Sequence, residues 1–178
     1  MKKSNAISFL LFVGVLMAAL LNSGCHIYSF KETAPLADSI KTVRIQYIEN
    51  RAPYVNPQLS PNLTERLKQK ILNQTRLSQT NNEDAHLSIT GYISDYSPST
   101  VGISNSTGRS QTSVNRLTVT VHITLMRQLE NKPPQEFDVS RSFDFSANQS
   151  LQQAESQLLD EMVRNLSDEI FNRLFSNW

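Results

Sequence analysis

The residue with the clearest chemical signature is Cys25, the only cysteine in the chain. It follows Ser23 and Gly24, and before these come two lysines and an uncharged, mostly apolar run over residues 6–21. A basic start, an apolar run and small residues before a cleavage point make, in that order, a secretory signal. A cysteine directly after that point predicts acylation of its thiol, with residues 1–24 as the lipoprotein signal peptide.

Two alternatives to this interpretation stay open. The apolar run has 16 residues and would span about 24 Å as a helix, short of the roughly 30 Å hydrocarbon core, which disfavours a permanent transmembrane anchor. Ordinary signal cleavage with a free thiol is the second alternative, since Asn22 stands where an aliphatic residue is usual. Several acyl chains on Cys25 would anchor the protein stably. His26 replaces the aspartate typical of inner-membrane retention, which favours the outer membrane.

No other reactive residues are spaced for catalysis. The three histidines, His26, His86 and His122, follow neither HxH nor HxxxH spacing, which disfavours a metal site. The adjacent carboxylates at 83–84 and 160–161 are typical of solvated surface. Only three glycines follow the signal peptide, too few for a phosphate-binding loop or a dinucleotide motif. The sequence therefore predicts a protein that is not an enzyme and needs no cofactor or metal.

Size and charge limit the remaining possibilities. Cleavage before Cys25 would leave 154 residues, the size of one ordinary domain. It would remove two of the 17 basic residues and none of the 16 acidic ones, so the net charge changes from +1 to −1. A near-neutral domain lacks the cations that unselective nucleic-acid binding requires. We expect an acylated tether over 25–40, a single α/β domain over 41–178, and no nucleic-acid partner.

Alternation of apolar and polar residues predicts strands. The four strands are predicted at residues 41–48, 85–96, 117–125 and 137–145. In the first, Val43, Ile45 and Tyr47 are expected on one side. In the last, Arg141 interrupts the apolar face. Residues 97–113 lack a pattern and are predicted as a long loop.

Two helices complete the set of elements. Ser60 before Pro61 predicts a helix start with Ser60 as the N-cap. The helix is expected to reach about Arg76 and to have an apolar stripe of Leu63, Leu67 and Ile71. Ser150 and Gln153 have the spacing of a capping box. They open a longer helix with a broad apolar stripe that reaches Phe175.

The order β-α-β-β-β-α predicts an α+β fold built as a two-layer sandwich. The first helix can connect two parallel strands, and the last three strands are expected to run antiparallel. We therefore expect a four-stranded mixed sheet with both helices on one face. The other face, with the threonine row of the third strand, would be open to solvent or to a partner.

Four stretches of the mature chain resemble one known family. They are residues 25–30 (CHIYSF), residues 43–57 (VRIQYIENRAPYVNP) with Leu59-Ser60, residues 115–121 (NRLTVTV), and Asn177-Trp178. The family is LptE, the lipopolysaccharide-assembly lipoproteins, in the form found in Bacteroidetes-type bacteria. The resemblance implies a plug in the outer-membrane barrel LptD that helps the barrel assemble, contacts lipopolysaccharide and performs no covalent reaction. The protein would be lipid-anchored, with its domain in the barrel lumen or on the periplasmic side.

Cationic side chains are the candidates for lipopolysaccharide contact, since arginine binds phosphate bidentately and lysine binds it as a point charge. The candidates are Arg109, Arg116, Lys132 and Arg141. Each could instead be a solvated surface charge. The rival hypothesis is a free-standing surface or periplasmic lipoprotein that binds a peptide or a glycan. Co-purification with a much larger barrel would separate the two.

Overall fold

The computed structural model describes residues 36–37, 39–101, 114–130 and 132–175. The predicted signal peptide, Cys25 with most of its tether, and Arg109 lie outside these ranges. Neither of the two helices described is long and apolar enough to cross a membrane.

Within these ranges, six strands form one mixed sheet in the order β3-β1-β4-β5-β6, with β2 also beside β4. The strands are β1 Thr42–Ile45, β2 Glu49–Asn50, β3 Ser78–Gln79, β4 Leu87–Val101, β5 Val114–Arg127 and β6 Gln135–Ser146. The helices are α1 Leu59–Gln74 and α2 Leu151–Phe175, with a short 3₁₀ helix at Gln128–Glu130. β1 pairs in parallel with β3 and β4, and β2 pairs in parallel with β4, whereas β4, β5 and β6 are antiparallel. The predicted fold class is confirmed, with two short strands added.

β5 is the clearest example of the predicted alternation. Its inward residues, Leu117 to Leu125 at every second position, are at most 1% exposed. The threonines between them are half-buried on the opposite face. α2 packs on β5 and β6 and also against α1. The buried residues of both helices belong to one core cluster with the inward side chains of the sheet, so both helices lie on the apolar face. The core lies between this face and the helices, and the polar face is uncovered by either helix.

The first strand ends earlier than predicted. Gln46 N still donates a hydrogen bond to Ile89 O at 2.9 Å, but the alternation stops after Ile45. Ile48 is buried and its N–H donates to Thr64 Oγ1 at 3.1 Å. Tyr47 is 55% exposed, so its expected inward position is wrong. The core side chain that follows Ile45 is Ile48, three residues later. A strand pattern that repeats every two residues therefore does not describe this segment.

β4 is longer than predicted and contains an irregularity. Its register with β5 shifts between Ile93 and Asp95, so Ile93 and Tyr96 are both buried although they are three positions apart, an odd spacing. The strand continues to Val101, which corrects the loop predicted over 97–113 for its first five residues; residues 102–113 lie outside the described ranges. Residues 97–100 are exposed, and a strand with neither face buried needs no apolar alternation.

The stripe of α1 is confirmed, but its predicted cap is wrong. Leu63, Leu67 and Ile71 are 0% exposed. The helix begins at Leu59, and Ser60 lies in the first turn with its buried Oγ unpaired. Asn56 instead fixes the turn that leads into the helix, because its Oδ1 accepts a hydrogen bond from Gln58 N at 2.9 Å. Proline is tolerated throughout a first turn, so Pro61 predicted the turn but not its first residue.

The capping box of α2 is confirmed. Gln153 N donates to Ser150 Oγ at 3.3 Å, and Ser150 N donates to Gln153 Oε1 at 3.2 Å. This reciprocal pair satisfies two backbone donors at the helix start. The helix then buries its apolar stripe: Ala154, Met162, Leu166, Ile170 and Leu174.

Candidate functional site

The uncovered face of the sheet carries a ladder of polar side-chain pairs between β5 and β6. Since β5 buries every second residue, the intervening side chains must point to this face. Each of them meets a polar side chain directly across on β6. Four pairs are in hydrogen-bond contact: Arg116–Asp144, Thr118–Ser142, Thr120–Ser140 and His122–Asp138. Beyond them, Thr124 lies across from Glu136. We call this surface the open face.

The ladder ends in an ion pair on one side and a histidine–carboxylate contact on the other. Arg116 donates from Nε to Asp144 Oδ1 at 2.6 Å and from Nη2 to Oδ2 at 2.8 Å. This hydrogen bonding lowers the pKa of Asp144 and raises that of Arg116. At the other end, His122 Nδ1 lies 2.7 Å from Asp138 Oδ1. Arg116 and Asp144, at one end of the open face, are therefore paired within the domain.

The open face continues across β4 to β2. The rings of Tyr92 and His122 lie 5.0 Å apart. The Arg51 guanidinium lies 4.4 Å from the centroid of the Tyr92 ring, and its Nη2 is 2.9 Å from Glu49 Oε2. An aromatic and a cation thus border the hydroxyl pairs on the β4 side. The arrangement suits hydrogen bonding to a broad polar surface better than the capture of a small molecule.

The structure does not bring the candidate phosphate-binding cations together. Arg116 lies on the open face, whereas Arg141 is opposite Val119, on the helix-covered side, and pairs with Glu169 of α2. Lys132 lies in the β5–β6 turn beside a surface depression of about 340 Å³. Leu125, near that turn, is nine residues from Arg116 along β5, or about 30 Å. The fourth candidate, Arg109, lies outside the described ranges.

Each of the three described candidates already has a carboxylate partner. Lys132 Nζ is 2.9 Å from Glu130 Oε2, and this hydrogen bond lowers the pKa of Glu130. Arg116 and Arg141 pair with Asp144 and Glu169. A lipopolysaccharide phosphate would have to compete with these carboxylates.

A buried polar cluster was missed by the sequence analysis. Glu155 of α2 is only 8% exposed, and its Oε1 accepts a hydrogen bond from Tyr96 Oη at 2.8 Å. Tyr54 Oη donates to Glu155 Oε2 at 3.2 Å, and Asn56 Nδ2 donates to Tyr96 Oη at 3.3 Å. Burial first, and Glu155 second, raise the pKa of Tyr54, and burial is also the main cause of the raised pKa of Tyr96.

The spacing of Glu155 from two leucines is a sequence signal for this cluster. Glu155 comes four residues after Leu151 and four before Leu159, so it lies on the same side of α2 as these two leucines. A carboxylate in that position must be buried or must face a partner. Across the described ranges, no group of three or more His, Cys, Asp or Glu side chains could hold a metal ion.

Comparison with known proteins gives a family match. A family model described as LptE, lipopolysaccharide-assembly, matches residues 40–174. The comparison with curated proteins gave no significant match.

Solved structures resemble this one to different degrees. A neuraminyllactose-binding hemagglutinin homologue from Helicobacter pylori superposes with a TM-score of 0.55 at 12% identity, covering 83% of this chain and 89% of that one. Lipoprotein B from Nitrosomonas europaea gives 0.45 at 20% identity, with 76% and 82% covered. Rare lipoprotein B from Shewanella oneidensis gives 0.39 at 15% identity, with 75% and 89% covered. The Helicobacter pylori structure shares the fold of this chain. At 12% identity, this similarity concerns the fold and says nothing about function.

Proposed function

Because the chain belongs to the LptE family of lipopolysaccharide-assembly proteins, we propose that it is an outer-membrane lipoprotein that plugs an LptD-like barrel. In this role it helps the barrel assemble and assists the insertion of lipopolysaccharide at the cell surface. It performs no covalent reaction. Acyl chains on Cys25 hold it at the membrane, residues 25–40 act as the tether, and 41–178 form the working domain.

The observation that carries the plug role is the composition of the open face. The lumen of an outer-membrane barrel is polar, so a plug must offer hydrogen-bonding groups to the wall. Each hydroxyl has one donor and two acceptor sites, and the pairs Thr118–Ser142 and Thr120–Ser140 use only part of this capacity. The wall can therefore bind these hydroxyls without breaking the pairs.

The ion pair of the open face favours the same role. A lone charge pressed against a wall would lose hydration without compensation. Arg116 keeps Asp144 as its partner across the ladder, so neither of these two charges is left uncompensated when water leaves the interface. This end of the face can be covered by a large partner at modest electrostatic cost.

Lipopolysaccharide contact remains assigned to Arg109, Arg116, Lys132 and Arg141 as a proposal. The exposed Lys132 is the most accessible of the described three, because it lies in a turn at the end of the sheet. The three described cations are spread over the molecule, so lipopolysaccharide would meet them at different points of its passage. No single phosphate pocket is implied.

Affinity purification of the tagged full chain from detergent-solubilised outer membranes tests the proposal. We expect a stable complex with a much larger barrel protein. Thr120→Lys with Ser140→Lys on the open face should reduce barrel recovery about tenfold. The matched control, Gln69→Lys with Asn73→Lys, adds the same charge at exposed positions of α1 and should retain the barrel.

Thermal unfolding of both double variants checks that the fold is kept. Equal barrel recovery from both would remove the open face from the interface. Recovery of the wild-type chain without any barrel would overturn the plug role. That result would favour the free-standing lipoprotein that binds a peptide or a glycan.

A further inference from the structure

Glu155 is a buried carboxylate that has no cationic partner among the residues described by the structure. It is the one charged side chain among the buried residues that the structure describes. The ion pairs in the described ranges use other acids, and their cations are Arg51, Lys70, Arg116, His122, Lys132, Arg141 and Arg173. Within the described part of the chain, the hydrogen bonds to Glu155 come from the hydroxyls of Tyr96 and Tyr54. A carboxylate has about four acceptor sites, so part of its capacity is unused.

Apolar residues flank this carboxylate on its own helix and in the loop that carries Tyr54. Tyr54 is 42% exposed and its chain neighbour Val55 is 54% exposed. Leu151 and Leu159 are partly buried, and they lie one helical turn before and after Glu155. We call Tyr54, Val55, Leu151 and Leu159 the Tyr54 patch.

The loop that presents Tyr54 and Val55 is held in one conformation. At its start, Arg51 N donates to Ile93 O at 2.9 Å and Ala52 N donates to Asn50 Oδ1 at 3.0 Å. At its end, Asn56 accepts from Gln58 N and donates to Tyr96. A surface that is ordered before binding loses less entropy on association. Exposed tyrosine on such a surface is typical of protein-interface hot spots.

We infer that the Tyr54 patch docks a protein segment that places one lysine or arginine, flanked by apolar residues, on Glu155. The charge of Glu155 selects a cation, and the patch selects its apolar neighbours. The incoming cation replaces the Tyr54 hydroxyl on Oε2, because that hydrogen bond is longer than the one from Tyr96, 3.2 against 2.8 Å. Tyr54 is also the more exposed of the two rings.

The segment is assigned to the barrel partner, so this inference rests on the proposed function and adds a second contact region to the open face. A charge on Glu155 is costly to bury unless it is paired. A cation from the partner removes that cost on assembly. The contact therefore favours the assembled state over the free domain.

Site-specific photo-crosslinking in the full-length chain tests the inference. A photoreactive amino acid at Val55 is expected to form an adduct with the barrel, and the crosslinked peptide should contain a lysine or arginine within a few residues. The same group at Gln69, an exposed position on α1, is the control and should give at least tenfold less adduct. Replacing the captured cation of the barrel with alanine should abolish the adduct without any change to this chain.

Two substitutions separate docking from a purely structural role. Glu155→Gln keeps the size and an acceptor for Tyr96 but removes the charge, and should lower the adduct at Val55 at least tenfold. Tyr54→Phe leaves the carboxylate and the ring, and should keep or increase it. Unchanged adduct in Glu155→Gln, or after the alanine replacement on the barrel, overturns the inference.

Affinity purification of the tagged chain measures barrel recovery independently of the crosslink. Barrel recovery without a Val55 adduct overturns the docking site and leaves the plug role intact. Absence of the barrel in both measurements overturns the proposed function itself. A Val55 adduct with lipid or with a second copy of the chain overturns the assignment to a barrel segment.

Discussion

Gly91 is the position where β4 and β5 approach too closely for a side chain. It lies opposite Ile123 in the register. A Cβ built on Gly91 would be 2.6 Å from His122 O and 2.8 Å from Ile123 Cδ1. Ordinary contacts begin at about 3.4 Å. The Ile123 methyl can rotate away, but His122 O belongs to a backbone fixed by pairing on both sides.

Two opposing effects decide the stability of Gly91→Ala. Overpacking a well-packed core costs about 1–3 kcal/mol, and the upper end applies here because the clash is with backbone. Alanine also lowers the conformational entropy of the unfolded chain, which increases the free energy of unfolding by about 0.4–1 kcal/mol. The net loss is about 2 kcal/mol, which corresponds to a fall of roughly 4–8 °C in Tm for a domain of this size.

Thermal unfolding followed by circular dichroism measures the effect. Thr90→Ala is the control, since Thr90 is the preceding residue and is half-buried; it should change Tm by less than about 2 °C. An unchanged or raised Tm for Gly91→Ala would refute the reasoning. It would mean that the two strands separate locally at almost no cost.

Three further predictions concern the polar groups. Tyr96→Phe should destabilise the domain by about 1–3 kcal/mol in denaturant titration, because Glu155 loses its shorter hydrogen bond. Since burial raises the pKa of Tyr96 above 10.0, wild-type stability should fall as pH rises above that value, and the variant should lack this component. Arg116→Ala should raise the pKa of Asp144 in an NMR titration, because the hydrogen bond that lowers it is gone; an unchanged pKa would contradict the pairing. Arg109→Glu with Lys132→Glu should weaken lipopolysaccharide binding by the full chain, and equal affinity would remove both residues from the proposed contact.

Periodic patterns in the sequence predicted the elements that have one buried and one open face. β5 and the stripe of α1 were identified because their apolar residues recur at the spacing of the element. The same method cannot locate where a strand stops, and Tyr47 was therefore placed inward. Nor could it identify β2 or β3, since two residues carry no period.

The site was harder to predict because it depends on pairs distant in sequence. Arg116 was recognised as a cation, but its partner Asp144 is 28 residues away and is identified only by the register of β5 and β6. A stripe defined by apolar residues alone does not identify Glu155 in α2. Its partners Tyr96 and Tyr54 lie 59 and 101 residues away. A charged residue at a stripe position should be treated as a candidate in its own right.

Conditional depletion of this protein in its native cell tests its role in lipopolysaccharide assembly most directly. The fraction of lipopolysaccharide accessible on intact cells would be followed as the protein is lost. We predict that this fraction falls and that newly made lipopolysaccharide accumulates on the periplasmic side of the outer membrane. Re-expression of the wild-type chain should restore the surface-accessible fraction. Normal surface lipopolysaccharide after complete depletion would contradict the account.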